Sequence, residues 1–157
     1  MKPETPLYAR FPPIAARLDW LAPLLVRLVF GYFWLETGWA KLHNLDGFAA
    51  RFVQWGIPFP ELSATVSAGM EFIGGLLLML GLLTRLTMIP MIFNMIVALV
   101  VVVLPTIGTL DEFVELDEVL YILVFFWFLM MGPGRASIDH LLFGRHVRDP
   151  RVAASSA

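Results

Sequence analysis

No cysteine occurs among the 157 residues. That absence excludes disulfides, thiol relays, iron–sulfur ligation and cysteine-held zinc within the chain. Charge is also scarce. Only 15% of residues are charged and 59% are hydrophobic, with mean hydropathy +0.77, against about 25% and 45–50% in a soluble domain. No basic cluster is dense enough for nucleic acid. The three histidines, His43, His140 and His146, fall outside the apolar blocks, which excludes a buried bis-histidine haem. No HExxH motif, phosphate loop or Ser-His-Asp constellation is present, so no catalytic motif identifies an enzyme.

What is present is apolar sequence in blocks long enough for a bilayer, which takes about 20 residues per helix. The first runs from about Leu21 to Lys41 and is read as a retained helix rather than a removed signal. The second runs from about Glu61 to Leu83, with Pro60 at its start. The third runs from Leu86 to Leu104 and stops at Pro105. The fourth is purely apolar only from Val119 to Met131. Thr109-Leu110-Asp111-Glu112 fits a capping box, and a helix begun there gains about 22 residues, enough to cross. Only Thr84-Arg85 separates blocks two and three, which predicts adjacent antiparallel helices. Phe48, Phe52 and Trp55 recur at helical spacing and predict a short amphipathic helix in the interface.

The expected fold is therefore all-α: an integral membrane four-helix bundle over residues 20–143. A polar segment over 1–19 precedes it, and a basic, disordered tail over 144–157 follows it. Lys2, Arg10 and Arg17 at one end, Arg85 in the tight loop, and Arg135, Arg145, Arg148 and Arg151 at the other end place both termini in the cytoplasm. The third loop carries only Asp111, Glu112, Glu115, Asp117 and Glu118.

Glu71 stands inside the second block, where a carboxylate is expensive and marks a functional candidate. Arg27, Gly31, Trp34, Gly38 and Lys41 form one stripe on the first helix. Ala64, Ser67, Glu71, Gly75, Leu78, Leu82 and Arg85 form another on the second. Their small residues permit close helix packing, so the stripes are expected to face each other. Two cations are then open to Glu71. Arg27 lies roughly 8 Å away in depth and Lys41 roughly 13 Å, but helix side chains lean toward their own N-terminus, which favours Lys41. Glu36 points away from Arg27, toward another helix or the outer interface. Glu118 and Glu115 share Lys41's membrane side, and either is a further partner for it. Asn94 reads as an interhelical hydrogen bond. The site candidates are thus Glu71, Arg27, Lys41, Trp34, Glu36 and Glu118. Glu71 is either a locked salt bridge or a proton or ligand site.

Arg27-Leu28-x-x-Gly31 followed by Gly38-x-x-Lys41 resembles the first helix of the DoxX family. Gly56-Ile57-Pro58-x-Pro60, then Glu71-x-x-Gly74-Gly75-Leu76-Leu77-Leu78-x-Leu80-Gly81-Leu82-x-Thr84-Arg85, resembles its central signature. Gly132-Pro133-Gly134-Arg135-x-Ser137-Ile138-Asp139 resembles its ending. The resemblance implies a small four-helix protein of the bacterial inner membrane. It also implies the neighbourhood of quinol-oxidising, thiosulfate-oxidising or oxidative-stress complexes. Three functions follow as expectations. The first is a non-catalytic subunit of a membrane redox complex, with a quinone as the suited ligand and a membrane or soluble redox protein as partner. The second is a scaffold or assembly factor, and the third a proton-coupled transporter, which four helices suit best as a homo-oligomer. Fold alone does not choose among them.

Overall fold

The computed structural model describes residues 18–143. The expectations for residues 1–17 and for the basic tail over 144–157 lie outside that range. No strand occurs among the described residues. The helices are α1 (Leu21–His43), α2 (Leu45–Gln54), α3 (Pro60–Leu80), α4 (Thr84–Val97), α5 (Leu110–Val114), α6 (Asp117–Met131) and α7 (Ile138–Phe143). α4 continues through a π-helical turn, Ala98–Val103, and a 3₁₀ turn, Leu104–Thr106, that holds Pro105. Pro60–Leu80 and Thr84–Thr106 are each long and apolar enough to cross a membrane, with mean hydropathy 1.5 and 2.6.

α1 and α3 pack along their small-residue stripes. Arg27, Gly31, Trp34 and Gly38 are the buried residues of α1, and Ala64, Ser67, Ala68, Glu71, Gly74, Gly75 and Leu78 those of α3. A Cβ on Gly38 would overlap the backbone of Phe72, and one on Gly75 the backbone nitrogen of Leu35. The two main chains therefore touch, which only glycine permits there. α4 packs against α3 and α6. Trp34 of α1 meets Phe125 and Tyr121 of α6 and joins Leu78, Met88, Met91, Met95 and Phe128 in one core. α2 forms a second cluster, in which Phe48 and Phe52 pack on Ala64 and Ala68. Its apolar face thus meets α3 rather than lipid alone.

Two boundaries differ from the sequence expectation. α3 stops at Leu80, not Leu83. Gly81 adopts a left-handed conformation (φ 63°) and its amide and that of Leu82 return to the carbonyls of Leu78 and Leu77, a glycine-terminated helix end. The turn is Gly81–Leu83, and Thr84 already begins α4. The unbroken helix expected from Thr109 also does not form. The cap itself does: the Thr109 hydroxyl accepts the Glu112 amide, and the Glu112 carboxylate accepts the Gly108 amide. The chain then turns extended at Leu116 (ψ 132°) and restarts as the 15-residue α6. Continuation would stack Asp111 on Glu115 and Glu115 on Glu118 at repulsive helical spacings. The break instead gives each helix an acidic first turn, which the helix dipole favours. At 1.5 Å per residue α6 is about 22 Å long, less than the roughly 30 Å of hydrocarbon in a bilayer.

Candidate functional site

Lys41 and Glu71 meet across the α1–α3 contact. Lys41 Nζ donates to both carboxylate oxygens of Glu71 at 2.6 Å. Glu71 is 1% exposed and Lys41 27%. The lysine leans back along its helix to reach the carboxylate, as side-chain direction predicts. Asn94 of α4 completes the cluster: its Nδ2 donates to Glu71 Oε1 at 3.2 Å, and its Oδ1 accepts the Ser67 hydroxyl at 2.9 Å. The Lys41 ammonium also lies 4.9 Å from the centre of the Phe48 ring, a cation–π distance. Both charges are neutralised and every Glu71 oxygen is hydrogen-bonded, as an intramembrane charge requires.

Arg27 is not part of this cluster. It is 2% exposed, at the opposite end of α1. Its guanidinium donates to the carbonyls of Pro133 and Ala136 in the glycine-rich turn after α6. The Asp139 carboxylate of the same segment accepts the amides of Leu83 (2.7 Å) and Thr84 (2.9 Å), capping α4. The Asp139 amide donates to Gly81 O, and Ser137 caps α7 through the His140 amide. Arg27 thus serves a latch that ties the last described segment to α1 and to the α3–α4 turn. Glu36 is exposed and outside the cluster.

A cavity of about 660 Å³ opens beside the Lys41–Glu71 pair, between α1, α2, α3, α4 and α6. Ligand pockets typically span about 300–1,000 Å³. Its walls are mainly aromatic and aliphatic, with Trp34, Phe48, Phe52 and Trp55 among them. The π-helical turn contributes Ala98, Val102 and Val103; such turns recur at functional sites. Of the sequence candidates, Lys41, Glu71, Trp34 and Glu118 line this space, whereas Arg27 and Glu36 do not. Glu118 makes no ion pair with Lys41, because Glu71 takes both contacts. Tyr121, one turn beyond Glu118, also lines the cavity and was not singled out by sequence. The i, i+3 spacing of Glu118 and Tyr121 on a helix that is apolar beyond its acidic first turn was the available signal. Among the described residues no cluster of His, Cys, Asp or Glu is arranged to hold a metal ion.

Residues 22–104 match the DoxX family. Over 136 residues, 78% of this chain and 82% of the relative, the sequence is 29% identical to the uncharacterized membrane protein Rv3486 of Mycobacterium tuberculosis. No solved structure matches.

Proposed function

Because the chain belongs to the DoxX family of membrane proteins, we propose that it is a multi-pass bacterial inner-membrane protein that holds a ring-headed amphiphile of quinone type and serves a membrane redox complex as a non-catalytic subunit. The observation that carries this reading is the cavity. It is large, mostly apolar, walled by aromatic rings and provided with a few polar groups, the composition that suits an apolar tail and a planar polar head. Trp34 and Trp55 in its wall supply the test. A short-tailed quinone added to purified protein in nanodiscs is expected to quench tryptophan fluorescence saturably. Ala98→Phe, which fills the cavity from the π-helical turn, is expected to abolish saturation. Equal saturation by both proteins would sink the proposal.

In this reading α1, α3, α4 with its π turn, and α6 with α5 cross the bilayer, and both ends of the chain lie in the cytoplasm. Support comes from Asp19 and Arg135, which pair at 3.8 Å and bring the segments before α1 and after α6 to the same end.

A second reading, a scaffold in which the charges only lock helices, draws on one specific observation: Lys41 and Asn94 occupy both Glu71 oxygens. It requires that Glu71→Gln reduce activity only in proportion to folded protein. Full folding with lost activity would exclude it.

A further inference from the structure

Most of the hydrogen-bond donors around the cavity are committed within the protein: the Ser67 hydroxyl to Asn94 Oδ1, and Asn94 Nδ2 to Glu71. The Thr37 hydroxyl spends its proton on the Phe33 carbonyl at 2.8 Å, and the Ser63 hydroxyl on the Pro58 carbonyl at 2.7 Å. Both residues line the cavity, and with their protons turned inward they offer a ligand only oxygen lone pairs. Lys41, the lining cation, directs its ammonium at Glu71 and at the Phe48 ring. The Trp34 indole N–H is buried and has no hydrogen-bond partner among the described residues. Glu118 brings a carboxylate, which only accepts. It has no hydrogen-bond or ion-pair partner among the described residues. Tyr121 carries the one hydroxyl left to rotate toward either role. Since Lys41 cancels Glu71, Glu118 leaves the lining with a single negative charge.

Resting on the quinone-type reading above, we infer that the cavity selects an amphiphile whose ring head donates hydrogen bonds, the dihydroxy form, over the oxidised form that only accepts them. A ring hydroxyl directed at Glu118 gains a charge-assisted hydrogen bond. A ring carbonyl in its place sets lone pairs against a carboxylate and leaves both unsatisfied, a penalty as selective as any attraction. The two forms share tail, size and ring, so the aromatic wall does not separate them. The polar lining does. Glu118 is therefore the specificity residue of the site, and Glu71 is not, because its oxygens are already committed to Lys41 and Asn94.

Calorimetric titration of the purified full-length protein in nanodiscs, under anaerobic conditions, tests this. The same short-tailed ring compound is supplied once as quinone and once as hydroquinone. The hydroquinone is expected to bind at least about tenfold more tightly, the ratio that one hydrogen bond to a charged group supplies. Glu118→Gln keeps the shape and adds a donor. It is expected to bring the two affinities within about threefold, with the unfolding temperature lowered only slightly, because Glu118 makes no hydrogen bond or ion pair and loses only its helix-dipole contribution. Equal or tighter binding of the quinone by the wild type overturns the inference and leaves the cavity reading intact. A hydroquinone preference that survives Glu118→Gln overturns the role of Glu118. Binding of neither form overturns the quinone-type reading and this inference with it.

Discussion

Glu71→Gln leaves the Lys41 ammonium facing a neutral amide and the Phe48 ring. Removing one member of a buried pair costs about 3–5 kcal/mol. Lys41 is only partly buried and faces the cavity, where it can relax, so a loss of about 2–3 kcal/mol is expected, measurable as denaturant unfolding in detergent. The double substitution Lys41→Met with Glu71→Leu is expected to recover most of that loss, since apolar groups of similar size often replace a buried pair at little cost. Asp139→Asn weakens two charge-assisted caps on α4 and is expected to cost about 1–2 kcal/mol, with faster amide exchange confined to Leu83 and Thr84. At this scale the sequence was informative where direction and periodicity acted locally. The stripes of α1 and α3, and the lean of Lys41 toward Glu71, follow from helix geometry. Arg27 was misread as a rival for Glu71 because its carbonyl partners lie 106 and 109 residues away. Backbone acceptors carry no side-chain signature by which such a pairing could be found. Tyr121 escaped for a related reason, and the periodic rings of α2 were read as an interface face rather than a cavity wall, since a wall assembled from five helices is not visible in any one of them.

Among elements, the α1–α3 contact makes the sharpest demand on residue size. Gly75→Ala puts a methyl group into the backbone of α1 near Leu35 and is expected to cost at least about 1–3 kcal/mol, the range for overpacking. Gly69→Ala, on the same helix with nothing within 4 Å of the new carbon, is expected to be neutral or to stabilise by up to about 1 kcal/mol through helix propensity. Comparing the two unfolding midpoints separates steric contact from propensity; equal effects would refute the close-contact account. The positions of α1, α3 and α4 were legible from apolar blocks punctuated by Pro60 and Pro105, whereas the stop at Gly81 was not. The break at Leu116 was not, because the capping box at Thr109 marks a correct start while the crowding of carboxylates that ends the helix acts only once several turns stack.

For the whole molecule, the missing cysteines are an experimental advantage. The chain is already a cysteine-free background, so single substitutions report topology directly. The proposed orientation predicts that Gly108→Cys in intact cells reacts with a membrane-impermeant maleimide, and His140→Cys only after the cells are opened. The reverse pattern would invert the proposed orientation, and labelling of both in intact cells would remove the even number of crossings. The overall class was legible because lipid imposes a compositional demand that no soluble fold shares.

The Arg27 latch also orders events in time. Translation delivers the guanidinium early and its carbonyl acceptors 106 and 109 residues later. For most of its synthesis the nascent chain therefore carries an uncapped cation in its first helix and, from Thr84 until Asp139 is made, an uncapped turn before Thr84 as well. Both are closed by the same seven residues, Pro133 to Asp139. A product terminated before them keeps an unsatisfied charge in the membrane permanently, which distinguishes it from the finished protein by solvation alone.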